Sequence, residues 1–276
     1  MKTDINLGAV LLALALVFTS AQVFADPKEL RNLDKFTKID QDTSAHVYLR
    51  QGSVQKVEVE TRQELLGNVI TEVSNGKLKI TMKTPGGKWT WNGSTPCNIY
   101  ITAENIDAIS LAGSGDLTAV TPITGNNLEL KVTGSGDLKA ELALRGDLEL
   151  SVSGSGDVNV KGKFQNVRGD VSGSGDAELT ADVARQAVLD ISGSGDIKVS
   201  GKVPVLEASI SGSGELSAYG FEADSCKIRL SGSGDAQVFV KNDLDARTSG
   251  SGDIAYKGNP ARVSSHNSGS GSVNKN

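Results

Sequence analysis

The sequence predicts an all-β fold: a β-solenoid, or β-helix-like rod, of about nine ~20-residue coils with an N-terminal strand-rich capping segment. Three observations predict it. First, 32 of the 276 residues are glycine, and 18 of them fall in nine copies of one short motif. Gly-Ser-Gly-Asp begins at Gly113, Gly134, Gly154, Gly173, Gly193, Gly232 and Gly250, with a Gly-Ser-Gly-Glu version at Gly212 and a Gly-Ser-Gly-Ser version at Gly269. Second, successive copies are 21, 20, 19, 20, 19, 20, 18 and 19 residues apart, which is the period of a repeat architecture. Third, the flanks alternate. Leu128, Leu130 and Val132 precede one motif, with Glu129, Lys131 and Thr133 between them; Leu138 and Ala140 follow it in the same phase. Strict alternation marks strands with one buried face. A single coil of this size cannot bury its own apolar face, whereas stacked neighbours cover one another.

Each element follows in order. Residues 1–25 read as a secretory signal: Lys2 opens the chain, Leu7 to Phe18 is an apolar run, and Val23-Phe24-Ala25 has the small-x-small pattern of a cleavage site. Cleavage is expected after Ala25. The run is 12 residues long, short of the ~20 that a membrane span needs. Residues 26–105 lie outside the repeat but are strand-rich, at His46 to Arg50, Lys56 to Glu60, Lys77 to Met82 and Asn98 to Thr102, with a short helix expected within Glu64 to Val73. This segment should cap the rod and share its core. Residues 106–276 form the rod, so 26–276 reads as one continuous domain. At each corner glycine is expected because a left-handed turn is nearly free for it. In the last coil the inward positions become Val263, Ser265 and Asn267, the polar layer that an open end requires.

Composition excludes several classes. Hydrophobics at 38% and charge at 22% argue against a disordered Gly/Ser linker. A net charge of -5 argues against an electrostatic nucleic-acid binder. No transmembrane segment is expected in the mature chain. Cys226 sits in an inward column with Leu128, Leu148 and Leu206, and Cys97 lies before the first motif, so two free thiols are expected rather than a disulfide. His46 and His266 stand isolated in the sequence, no nucleophile–base–orienter set assembles, and no catalytic residue or cofactor is assigned.

The strands around Phe36-Thr37-Lys38-Ile39, Val47-Tyr48-Leu49-Arg50-Gln51-Gly52 and Val57-Glu58-Val59-Glu60, the stretch Gly76-Lys77-Leu78-Lys79-Ile80, and Ile99-Tyr100-Ile101-Thr102 leading into Leu111-Ala112-Gly113-Ser114-Gly115-Asp116 carry a resemblance. So does the closing Gly252-Asp253-Ile254-Ala255-Tyr256-Lys257-Gly258-Asn259-Pro260. Together they resemble the bacterial family named putative auto-transporter adhesin, head GIN domain. The resemblance implies an exported, β-helix-like protein without enzyme activity, at the envelope of Gram-negative bacteria: periplasmic, extracellular or on the cell surface.

Three candidate sites stand out. Asp116, Asp137, Asp157, Asp176, Asp196, Glu215, Asp235 and Asp253 should stack as an acidic ladder, where like charges ~4.8 Å apart repel by roughly 1 kcal/mol per neighbour. Either a row of cations such as Ca²⁺ offsets that repulsion, or each acid accepts backbone N–H bonds and fixes its turn. Glu215 and Ser272 at the same position suit a tolerant corner better than a strict ligand set. Trp89 and Trp91, between Pro85-Gly86-Gly87 and Asn92-Gly93, are ligand-contact candidates that either stack on a sugar or fold over the end of the rod. Arg145-Gly146-Asp147 and Arg168-Gly169-Asp170 spell an integrin-type tripeptide; Gly169 falls in an inward column, so only the first copy could be displayed. The reading is a non-enzymatic exported interaction module whose partner is a glycan or an envelope protein. A β-helix glycan-cleaving enzyme, or a periplasmic scaffold with no small ligand, is the alternative.

Overall fold

Alternating side chains demand a partner sheet on one face, and the chain supplies it by winding over itself. The structure, a computed structural model, describes residues 26–83 and 96–276. Successive coils pair in parallel and in register. Leu128–Val132 lies beside Leu148–Val152, which lies beside Val167 to Val171 in the next coil. From Val158 onward the strand after one corner runs on into the strand before the next, as in Ala177–Ile191 and Leu216–Leu230. The register between neighbouring coils shifts midway along these long strands, at Phe164/Asn166 and Asp182/Gln186, where the coil bends.

The inward columns are those the alternation predicts. Leu130, Leu150, Leu189, Ile228 and Ala246 stack on one side of the corner, and Leu138, Val158, Ala177, Ile197 and Leu216 on the other, all buried. Each fully buried Leu, Ile or Val removes enough apolar surface from water to contribute roughly 1.5–3 kcal/mol. The core is a single column shared by the N-terminal segment and the repeat.

The N-terminal segment contains coils of its own. Lys38–Asp42 pairs in parallel with Ala108–Leu111, and His46–Gln51 with Leu117–Ala119. Thr43-Ser44-Ala45-His46 therefore stands where the next coil has Gly113-Ser114-Gly115-Asp116. On the opposite side the same two strands pair with Lys77–Met82 and Asn98–Ala103. Beyond these the pairing turns antiparallel: Val69–Ser74 borders Lys77–Met82, Lys56–Glu60 borders Asn98–Ala103, and Lys28–Arg31 closes the edge against Lys56–Glu60. Antiparallel strands end the parallel stack. The helix expected within Glu64 to Val73 is a single 3-10 turn, Leu66–Asn68; Val69–Ser74 is a strand because Asn75-Gly76, both at positive φ, fold it back on Lys77–Met82.

The other end is open and polar. Arg262–Asn267 is exposed throughout, Val263 included at 45%, since no further coil covers it. The column that holds Leu111, Val132 and Ile191 becomes Gln41 at one end and Thr248, then Asn267, at the other. Each of the three donates across the inside of its corner to the carbonyl four residues on: Gln41 Nε2 to Ala45 at 2.6 Å, Thr248 Oγ1 to Gly252 at 3.3 Å, and Asn267 Nδ2 to Gly271.

The corner glycines have a different cause from the one expected. None of the motif glycines adopts a positive φ; that conformation belongs to Gly76, Gly201 and Gly258. What excludes a side chain is the coil above. A Cβ on Gly156 would stand 2.1 Å from the carbonyl oxygen of Gly136, and one on Gly154 2.0 Å from that of Gly134. The hydrogen in that place points at the carbonyl, the geometry of a weak Cα–H···O contact between stacked chains. Conventional bonds accompany it, with Ser155 N–H and Gly156 N–H both donating to Gly134 O at 3.0 and 3.1 Å.

Candidate functional site

The column of corner acids lies on the outside of these turns, and its hydrogen bonding is periodic. Asp137 N–H donates to Asp116 Oδ1 at 3.0 Å, Asp157 N–H to Asp137 at 2.9 Å, Asp176 N–H to Asp157 at 2.8 Å, and Asp196 N–H to Asp176 at 2.8 Å. Glu215 N–H continues the chain to Asp196 at 2.7 Å, Asp253 N–H donates to Asp235 at 2.7 Å, and Ser272 closes it with both N–H and Oγ–H on Asp253 Oδ1. Each of these aspartates thus accepts the backbone N–H of the corner residue one coil on. A charge-assisted bond of this kind is stronger than a neutral one and opposes the repulsion along the column. Glu215 interrupts the series. Its longer side chain accepts from Gln237 Nε2 at 2.9 Å, and among the described residues no carboxylate meets Asp235 N–H. Burial, then the neighbouring Asp196 and Asp235, push the Glu215 carboxyl above the usual carboxylate range.

The ladder is headed by a histidine. His46 occupies the acid position of the preceding coil, its Nδ1 3.4 Å from Asp116 Oδ2. The pair was hidden because His46 and Asp116 are 70 residues apart in the chain. Among the described residues no group of three or more His, Cys, Asp or Glu side chains is arranged to hold a metal ion.

Beside the ladder runs a second outward column two residues on: Lys139, Asn159, Glu178, Lys198 and Ser217. Between the columns lies an open groove of about 510 Å³. Its far wall is cross-linked, with Asn159 Nδ2 donating to Glu178 at 2.8 Å and Lys198 Nζ 2.8 Å from the same carboxylate. Toward the cap this second column becomes Thr118, Tyr48 and Tyr100. The two phenol rings stack with centroids 5.3 Å apart. Tyr100 Oη donates to Glu60 Oε2 at 2.6 Å, and Lys28 Nζ sits 4.1 Å over the Tyr100 ring and 3.5 Å from Glu60. That hydrogen bond holds the Glu60 carboxyl below its ordinary range and raises the Tyr100 phenol to about 12.

Known proteins share this fold. The family model described as putative auto-transporter adhesin, head GIN domain matches residues 35–199 and 180–260. The chain belongs to that family. Among solved structures, a putative adhesin from Parabacteroides distasonis superposes with a TM-score of 0.68 at 24% identity, covering 91% of this chain and 96% of its own. A putative lipid binding protein from Parabacteroides distasonis gives 0.64 at 25% identity, covering 91% and 97%. A putative adhesin from Parabacteroides merdae gives 0.62 at 22%, covering 91% and 96%. No curated protein matches.

In this head GIN domain chain the other candidate residues are scattered. Trp89, Trp91 and the expected cleavage site after Ala25 lie outside the described residues. Arg145-Gly146-Asp147 does sit at an outer bend, but Asp147 is engaged there: its Oδ1 accepts Asn166 N–H at 3.1 Å, while its own N–H donates to Asn127 Oδ1 at 2.9 Å. This is a second, shorter ladder on another corner. Gly169 is buried in a strand, 3.1 Å from Leu189 Cδ2 if given a Cβ. Cys97 and Cys226 are free and buried, and burial raises their thiols to about 11 and about 12. His266 is exposed on the last coil. Among the described residues no helix is long and apolar enough to cross a membrane.

Proposed function

We propose that this chain is an exported, non-enzymatic interaction module of the bacterial envelope, with the outer face of the rod as its working surface and a glycan or envelope protein as its partner. The observation that carries this reading is the open groove beside the acidic ladder, to which five consecutive coils contribute equivalent positions. Equivalent positions ~4.8 Å apart suit a linear polymer that advances by a fixed step. Carboxylates, an amide and ammonium groups stand along this groove, which suits a hydroxyl-rich ligand. The groove carboxylates accept backbone N–H groups of the next coil, which supports a structural role for them over a catalytic one. The leading segment with its cleavage after Ala25 supplies the export, and residues 26–276 act as one unit.

Surface biotinylation of intact cells, followed by a glycan array with the purified mature chain, tests the proposal. Labelling on intact cells and glycan retention without product release are expected. Labelling only after lysis, with an empty array and envelope proteins recovered in pull-down, points instead to a periplasmic scaffold.

A further inference from the structure

Outward columns on a solenoid are usually level, and near the cap this one has a step. Tyr48 and Tyr100 are both half-buried and stacked on each other, while Lys28 covers the far face of Tyr100. The residue in register with Tyr48 in the next coil is Thr118, and the one after that is Lys139. Threonine is too short to cover a phenol ring. The cap-distal face of Tyr48 therefore overhangs a shelf with Thr118 as its floor. Val120, two residues along, is 46% exposed at the rim.

The charges around this shelf are unequal. On the ladder side Asp116 is engaged, accepting Asp137 N–H and lying 3.4 Å from His46. Arg50, two residues from Tyr48, and Lys139, one coil below Thr118, form no ion pair among the described residues, although much of the remaining charge on this face is matched. Lys139 stands between the shelf and the groove, and the charged lining of the groove beyond it is mostly carboxylate, so the cationic character belongs to the shelf alone. An aromatic face presents a surface for the C–H groups of a pyranose, and an unpaired guanidinium presents a fork that matches a carboxylate.

We propose that Tyr48 and Arg50, flanked by Lys139, form a subsite for an acidic sugar at the cap end of the rod and outside the acidic groove, one uronate ring lying under Tyr48 with its carboxylate toward Arg50. This names the ligand class for the interaction module above and rests on that reading. The geometry requires no covalent step.

The test uses the mature chain from Asp26 and three probes: polygalacturonate, neutral dextran, and vesicles of phosphatidylglycerol. Polygalacturonate should be retained, with retention falling as salt rises, and dextran and vesicles should not. Tyr48→Leu and Arg50→Gln should each weaken polygalacturonate binding tenfold or more while thermal melting stays within a few degrees. Lys139→Gln should weaken it several-fold. Unchanged binding in Arg50→Gln and Tyr48→Leu would overturn the subsite, and so would equal retention of dextran or preference for the vesicles. Binding of a neutral glycan with the variants silent leaves the interaction module standing and removes only the acidic subsite. No binding to any probe, together with an empty array, removes both.

Discussion

Replacing Gly175 with alanine separates steric crowding from backbone conformation as the reason for the corner glycines. An alanine Cβ there would stand 2.2 Å from Gly156 O and 3.0 Å from Gly156 C. These are backbone atoms, which cannot swing aside, so the coils must part by roughly 1 Å out of a ~4.8 Å repeat. Overpacking of this kind costs about 1–3 kcal/mol. Parting the coils also strains the bonds from Ser174 N–H and Gly175 N–H to Gly154 O, 3.0 and 3.1 Å long, each contributing about 1 kcal/mol. The expected loss is about 3 kcal/mol. Two controls frame it. Gly76 has φ +71 and no atom within 4 Å of a Cβ, so Gly76→Ala carries only the left-handed penalty of about 1–2 kcal/mol. Gly67 has an open Cβ position and an ordinary φ, so Gly67→Ala should lie within about 0.5 kcal/mol of the parent. Guanidinium unfolding followed by far-UV circular dichroism should rank them Gly175, Gly76, Gly67. A Gly175→Ala variant no less stable than Gly76→Ala would refute the crowding argument.

Glu215→Asp shortens the side chain to the length that elsewhere reaches the next N–H; it should restore a bond to Asp235 and raise stability by about 1 kcal/mol in the same assay. Asp157→Ala should cost about 1 kcal/mol and Asp157→Asn less, since the amide oxygen still accepts Asp176 N–H; equal losses would count against the acceptor role. The depressed Glu60 carboxyl contributes stability above the unfolded carboxylate range that is lost as pH falls through its folded value, whereas the raised Glu215 carboxyl does the opposite, costing stability as pH rises from the unfolded to the folded value. Glu60→Gln should therefore flatten the acid limb of the melting profile and Glu215→Gln should lift the neutral side. Cys226, raised to about 12, should resist thiol reagents at pH 8 until the rod unfolds; fast labelling of the native chain would contradict its burial.

The rod was legible because its signal is periodic. Leu128, Leu148 and Cys226 could be placed in one column from spacing alone, and the register pairs confirm it. The coil built on Thr43-Ser44-Ala45-His46 was less visible because it lacks glycine and sits 70 residues upstream. Its phase was nevertheless present, with Ile39 and Gln41 before the corner and Val47 and Leu49 after it. The 3-10 turn at Leu66–Asn68 was misread as helix because the hairpin at Asn75-Gly76 outweighs local propensity. The glycine cause was misread because sequence shows a turn but not how closely the next turn lies upon it. The aromatic step was missed for a similar reason. Tyr48 and Tyr100 are 52 residues apart and become neighbours only when the chain doubles back through the cap.

Each corner aspartate serves the backbone of the next coil, and amide hydrogen exchange reads that bond directly. Exposed corner amides should exchange fast unless an acceptor holds them. Slow exchange is expected at Asp137, Asp157, Asp176, Asp196, Glu215 and Asp253, and fast exchange at Asp235, whose neighbour is the longer Glu215. Uniform exchange along the column, with Asp235 as protected as Asp176, would contradict it.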